Sequence, residues 1–176
     1  DPAQVFSIAR VDPALFDDPD HSISLAVLGR LVQQCVASTG CEHFGLLVGQ
    51  RGGQSSLGLI GLAVRDSPDV EVALHRLGTH LHLYYGGQVM NLDVGDDVAT
   101  LSYAIHQPGV EAVDQIEDGA LAILFHIMRD LCGPNWLPLE VRFAHRRPAS
   151  LRPFLEYFQT TLRFNAEQSA LVFSTN

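Results

Sequence analysis

The chain has 176 residues, 47% of them hydrophobic, which is enough for a folded domain with a real core and too much for a disordered segment. Its formal net charge is −9 and all 11 basic residues are arginines, so by itself it repels a phosphate backbone and is a poor nucleic-acid ligand. No apolar run approaches the roughly 18–20 residues that span a bilayer, and the start shows no basic-then-apolar leader pattern.

The first 20 residues read as the tail of a helix around Val5, Ile8 and Ala9, cut into at its beginning, then an acidic loop from Val11. Ser22 or Ser24 next caps an amphipathic helix. Its apolar positions, Leu25, Leu28, Leu31, Val32, Cys35 and Val36, recur at spacings of three and four. Gly40 suits the left-handed residue that ends it. A short helix is expected over Glu42 to Val48, then a polar loop over Gln50 to Ser56, then a buried glycine-rich helix over Gly58 to Val64. Ser67 reads as the cap, and Pro68 as the first position, of a helix reaching about Tyr84.

Gly86-Gly87 opens a hairpin, with strands Gln88 to Val94 and Val98 to His106 joined by Gly95-Asp96-Asp97. A long helix follows from about Val110 to Leu131. Its core stripe is Val113, Ile116, Ala120, Ile123, Leu124, Ile127 and Leu131, and Gly133-Pro134 ends it. Trp136 anchors the next loop. Leu139 to Phe143 alternates like a half-buried strand, and Ser150 is expected to cap a helix with Leu151, Phe154, Leu155 and Phe158 inward. Leu162-Arg163-Phe164 and Leu171-Val172-Phe173, joined by the polar turn Asn165 to Gln168, read as a closing hairpin. This order predicts an α+β fold in one domain spanning residues 1–176. It comprises a mostly antiparallel sheet of about five strands packed with helices, plus an N-terminal helical layer.

No residue pattern demands an enzyme. There is no GxSxG elbow, and Gly49-Gln50-Arg51-Gly52-Gly53 lacks the lysine of a phosphate loop. His75, His80 and His82 share a helix, but none forms an HExxH or i, i+4 pair, so neither metal nor cofactor is expected. Cys35, Cys41 and Cys132 form no CxxC, and an odd count suits a reducing compartment. Cys35 and Cys132 read as buried small hydrophobes. Asp114, Glu117 and Asp118 read as a solvated face near a helix start. Arg142, Arg146, Arg147 and Arg152 read as a solvated strand end and helix start, ahead of an anion site.

The stretch His80 to Tyr85 stands out because tyrosine and histidine at a helix–sheet junction can line a small-molecule pocket. It nominates His80, Tyr84 and Tyr85 as ligand contacts, with Tyr103, His106 and Arg142 on strands that could face the same cavity. The plainer alternative packs Tyr84 in the core with its hydroxyl at the surface.

Several landmarks occur in a recognisable order: Asp12-Pro13-Ala14-Leu15, Ser24-Leu25 through Thr39-Gly40, Phe44-Gly45-Leu46 with Gly49, and Leu57 to Gly61 before Ser67-Pro68. Gly133 to Pro138, His145-Arg146-Arg147-Pro148 and Phe164-Asn165-Ala166-Glu167 complete the set. With these the chain resembles the N-terminal effector-sensing domain of AraC/XylS-type bacterial transcription regulators, in the arabinose-binding-type subgroup typified by ornithine-utilisation regulators. The resemblance implies a cytoplasmic, dimeric regulator that senses a small molecule. It also implies DNA binding through a pair of C-terminal helix-turn-helix motifs outside this chain. Where the family often has Gly-Cys-Pro, this chain has Gln159-Thr160-Thr161. Two other functions stay open at this point: a module that only dimerises or docks a protein, and a histidine-based metal sensor or metalloenzyme.

Overall fold

The computed structural model describes residues 1–18, 22–53, 59–84 and 86–175. Helix α1 (Pro2–Ala9) is capped by Asp1, whose carboxylate accepts from the Ala3 N–H. A short 3₁₀ turn covers Pro13–Phe16. Helix α2 (Leu25–Thr39) starts at Ser24, whose Oγ accepts from Val27 N–H, and ends at Gly40 with φ 65°, as its sequence predicts. Two short helices, α3 (Phe44–Gly49) and α4 (Leu59–Arg65), precede α5 (Val70–Tyr84).

The start of α5 differs from expectation. Asp69, not Ser67, caps it by accepting from the Val72 N–H at 2.8 Å. Ser67 instead donates back to the Ala63 carbonyl and accepts from Arg76, which fastens α4 to α5. A carboxylate two residues nearer the helix outcompetes the hydroxyl for the free N–H groups.

Strands β1 (Gln88–Val94) and β2 (Val98–Ile105) form the expected hairpin. Helix α6 (Val113–Cys132) follows, then β3 (Glu140–Arg142), α7 (Arg152–Phe158), β4 (Thr161–Arg163) and β5 (Ser169–Ser174). The sheet order is β1-β2-β5-β3-β4, with only β3 and β4 parallel. The closing hairpin is therefore not one: β3 lies between β4 and β5. The four apolar residues of β5 and Ser169 are all buried, so two neighbouring strands satisfy it better than one edge position.

The inward face of the sheet carries Leu92, Leu101, Leu171, Val141 and Leu162 in one aligned row. Helix α5 packs beneath β1, and α6 beneath β2 and β5. Helices α2 and α3 pack on α6 from its other side, giving the N-terminal helical layer. At the β3–β4 end the core is aromatic, with Phe143 stacked on Phe164 at 4.8 Å and in edge contact with Phe154 and Phe158. Trp136 bridges Phe125 and Phe173 as an anchor.

Three smaller readings need correction. Ser150 does not cap α7; Leu151 occupies the cap position without a side-chain bond, and Pro153 supplies the preset φ in the first turn. Cys132 is exposed at the end of α6, and Cys35 is half-buried. Gln159 takes φ 52° and ψ 32° to end α7. That left-handed conformation costs a side-chain-bearing residue about 1 kcal/mol. Gln159→Gly is therefore expected to stabilise the fold by about 0.5–1 kcal/mol, read as a Tm rise of about 1–4 °C in thermal unfolding.

Candidate functional site

The site begins with two backbones in contact. Helix α3 crosses α6 so closely that a Cβ on Gly45 would lie 1.8 Å from the Gln115 carbonyl oxygen, and one on Gly49 would lie 2.3 Å from that of Gly119. Only glycine fits at either position. The buried Gln115 side chain locks the crossing. Its Oε1 accepts from Gly45 N–H and its Nε2 donates to the Glu42 carbonyl, both at 2.9 Å.

Beside this crossing the helices do not close, and a cavity of about 240 Å³ remains between the helical layer and the sheet. Leu28 and Val32 of α2, Val48 of α3, and Leu77 and Leu81 of α5 form its walls. Ile116, Ala120, Ile123, Leu124 and Ile127 of α6 form its floor. Val48 is 53% exposed and marks where the cavity meets solvent. From the sheet come Gln88 and Tyr103, the Tyr103 hydroxyl donating to Gln88 Oε1 at 2.6 Å. Burial, reinforced by the Glu117 charge, pushes the Tyr103 phenol well above its ordinary value, so it stays neutral. Among the described residues, no charged side chain lines the cavity.

Of the residues nominated from sequence, Tyr103 lines this cavity. His80 lies elsewhere on α5, along a shallow groove shared with Ile60 and Arg76. Tyr84 ends α5, but its side chain and all of Tyr85 lie outside the described residues. His106 is exposed three residues beyond Tyr103, its N–H donating to the Gly87 carbonyl. Arg142 aligns with Ala170, and Ala170 with Ser102, on the outer sheet face; its guanidinium pairs with Glu140 at 2.5 Å. Strand faces alternate, so Arg142 lies on the face opposite the inward Tyr103, and neither it nor His106, which follows the end of β2, lines the cavity. The expectation that they face one cavity is corrected on that ground.

Sequence reasoning missed Gln88 and the glycine crossing. The signal for the crossing was Gly45 and Gly49 on one face of a short helix, with a third glycine, Gly119, inside a long one.

A second correction concerns Glu117 and Asp118, which are buried, not solvated, with residue exposures of 7% and 1%. Glu117 accepts from Ile105 N–H and, at 2.7 Å, from Ser169 Oγ. Ser169 Oγ in turn accepts from Ala144 N–H. Asp118 Oδ1 sits 2.9 Å from His145 Nε2, and Asp118 Oδ2 has no hydrogen-bond partner among the described residues. His145 Nδ1 is 2.7 Å from the Arg146 carbonyl. A carbonyl only accepts, so Nδ1 carries a proton and a further proton lies between Nε2 and Oδ1. These bonds tie α6 to β2, β5 and the loop after β3.

The two titrating groups both bind protons more tightly in the fold. Burial raises the Asp118 carboxyl despite its histidine partner. Burial lowers His145, but the Asp118 hydrogen bond and charge, with the Arg146 carbonyl, more than offset it and raise the imidazole. Elsewhere His75 and His126 face Glu71 and Asp130 in exposed i, i+4 pairs. Among the described residues, no three His, Cys, Asp or Glu side chains converge on a metal-sized site. No described helix is long and apolar enough to cross a membrane.

The architecture is that of an α+β domain, one mostly antiparallel five-stranded sheet with flanking helices. The transcriptional regulator CdpR from Pseudomonas aeruginosa shares the fold, with a TM-score of 0.67 over 98% of this chain and 53% of that one at 17% identity. The family described as the arabinose-binding domain of AraC transcription regulators, N-terminal, matches residues 1–176, and the chain belongs to it. It is 28% identical over 160 residues to the ornithine utilization regulator of Pseudomonas aeruginosa, covering 91% of this chain and 47% of that protein. It is 23% identical over 168 residues to the HTH-type transcriptional regulator VirS of Mycobacterium tuberculosis, covering 93% of this chain and 49% of that one. The chain thus spans about half the length of the curated relatives it matches.

Two outcomes follow from this geometry. Gly45→Ala forces a backbone clash and is expected to cost about 3 kcal/mol or more. Gly40→Ala meets no atom within 4 Å and is expected to cost only about 1 kcal/mol for its positive φ; chemical denaturation separates the two. Because folding takes up protons at Asp118 and His145, their stability contribution is full at low pH. For Asp118 it is lost as pH rises from about 3.8 through its raised folded-state value, and for His145 as pH rises from about 6.5 through its own. Tm measured from about pH 6 to about pH 9 is expected to fall more steeply in the wild type than in His145→Gln.

Proposed function

We propose that this chain is the effector-sensing and dimerisation domain of an AraC-family transcription regulator. A small molecule in the cavity between α2, α3, α5, α6 and the sheet would control DNA binding or activation by a C-terminal helix-turn-helix region. The observation that carries this reading is the cavity itself, held open beside the glycine crossing in a domain whose family and relatives are regulators. The role is regulatory, not catalytic: among the described residues the lining offers apolar surface and two neutral polar side chains from the sheet, and no nucleophile paired with a base. The regulator acts in the cytoplasm, where its DNA is.

The coupling follows from which elements the ligand touches. It contacts α2 and α3, the outer helical layer, and at the same time α6 and β2, the packed interior. A ligand that fits one disposition of that layer better than another shifts the population toward it, by tenfold for each ~1.4 kcal/mol of preference. Dimer geometry, and through it the spacing of two DNA-binding heads, is the quantity so controlled.

A thermal-shift screen of the domain against a small-molecule library tests this. At least one compound is expected to raise Tm; at ~100-fold excess over Kd the stabilisation is about 2.7 kcal/mol, or roughly 5–10 °C. Ala120→Phe, which fills the cavity floor, is expected to abolish the shift while keeping the far-UV circular dichroism. The reading fails if no compound stabilises the wild type or if the filled variant responds equally. A concentration-dependent dimer in sedimentation, with no stabilising compound, would favour a module that only dimerises.

A further inference from the structure

Most polar atoms around the cavity are committed within the fold, and what remains, the Tyr103 oxygen lone pairs and the Gln88 Nε2 hydrogens, defines the chemistry of its occupant. Both ends of the Gln115 side chain are used in locking α3 to α6. The Tyr103 hydroxyl hydrogen is spent on Gln88 Oε1, which leaves the phenol oxygen's lone pairs as an acceptor at the cavity wall. Among the described residues, no arginine or histidine reaches the lining to receive a carboxylate, and no aspartate or glutamate reaches it to receive an ammonium. Glu117 is close enough for its charge to act on Tyr103, but it lies outside the lining and its oxygens hold Ile105 N–H and Ser169 Oγ. Its field further disfavours an anion. Size narrows the class again, since benzene occupies an engineered cavity of about 150 Å³. A cavity of about 240 Å³ takes one ring and a few further atoms, or a short chain.

Resting on the reading of this cavity as the effector site, we infer that its ligand is a neutral, mainly apolar molecule of single-ring or short-chain size. It carries one hydroxyl-type group that donates to the Tyr103 hydroxyl oxygen and can accept from Gln88 Nε2. Amino acids, carboxylates and amines are disfavoured as occupants, because no described side chain in the lining pairs with their charge, and burying an unpartnered charge costs far more than one hydrogen bond returns. Tyr103 and Gln88 act together as the polar anchor. The hydroxyl's donation to Gln88 fixes the direction of the lone pairs it offers.

Matched probes separate charge from shape: benzyl alcohol, toluene, benzylamine and benzoate share one ring and one pendant carbon. Their affinities for the domain are measured at neutral pH by thermal shift and calorimetry. Benzyl alcohol is expected to bind, toluene to bind about three- to tenfold more weakly for want of the hydrogen bond, and the two ions not to bind. Tyr103→Phe is expected to bring benzyl alcohol down to the affinity of toluene and to leave toluene unchanged. Ala120→Phe and Val32→Phe, each of which fills the cavity by a different wall, are expected to abolish both. If benzylamine or benzoate binds as tightly as benzyl alcohol and either filled variant abolishes that binding, the neutral class is overturned while the cavity stands as the effector site. Binding that survives in both filled variants overturns the assignment of the ligand to this cavity. If no probe binds and the library screen is also silent, the effector reading falls together with this one.

Discussion

The contact between the backbones of α3 and α6 is the constraint on which the helical layer depends. Glycine is a poor helix former, and α3 has only six residues, so by propensity and length it is marginal on its own. Tertiary contact holds it. With no Cβ at Gly45 or Gly49 the two helices approach to backbone distance, and Gln115 reaches back to clamp the N–H of Gly45 and the carbonyl of Glu42. Glu42 also accepts from Ala149 N–H, which connects this crossing to the loop that follows β3. The position of α2, the wall of the cavity and the approach of the His145 loop are all referred to this one crossing. Close approach at the glycines and open space beside them are two sides of the same geometry, since larger side chains next to the crossing hold the helices apart where the glycines do not.

Helix α6 divides the interior by electrostatic character. One side, built from Ile116, Ala120, Ile123 and Leu124, presents hydrocarbon to the cavity. Glu117 and Asp118 instead enter a network with Ser169, His145 and the backbone of β2. Buried carboxylates are tolerated there because each has a partner that donates or shares a proton. The separation matters for selectivity: the strongly polar groups near the cavity are spoken for before any ligand arrives, so the cavity wall is left nearly free of charge.

Much of the fold was legible in the chain. The α2 period, its Ser24 cap and Gly40 stop, the β1–β2 hairpin and the length of α6 were readable because each is decided locally, by side-chain periodicity or by residues that favour a turn. The sheet order was not. Leu162-Arg163-Phe164 and Leu171-Val172-Phe173 look like partners because they are close in sequence, and nothing local says that β3 inserts between them. The α6 stripe from Ile116 to Ile127 was found, but it faces the cavity; a second stripe through Leu121, Phe125 and Met128 faces the sheet. A helix with two such stripes is buried on both sides, and that same doubling carried Glu117 and Asp118 inward, against the ordinary preference of acids for a helix surface. For the site, Tyr103 was accessible to reasoning because it is a tyrosine on a strand. His106 and Arg142 were assigned beside it without a register, and a one-residue difference in parity sends a side chain to the opposite face.

The position of β5 has a bearing on how the domain comes to be folded at all. The last strand in sequence is an interior strand of the sheet, hydrogen-bonded to β2 on one side and β3 on the other. Until it arrives, the β1–β2 hairpin has a naked inner edge, and β3 and β4 have no link to it through the sheet. On a ribosome the helical layer and the first hairpin emerge well before that strand, with the sheet-facing stripe of α6 uncovered and an unpaired edge available to other chains. Completion of the sheet therefore waits on non-local pairing, which is the slow part of folding in general. Until β5 docks, the edge of β2 that it will cover stays open to pairing with other chains.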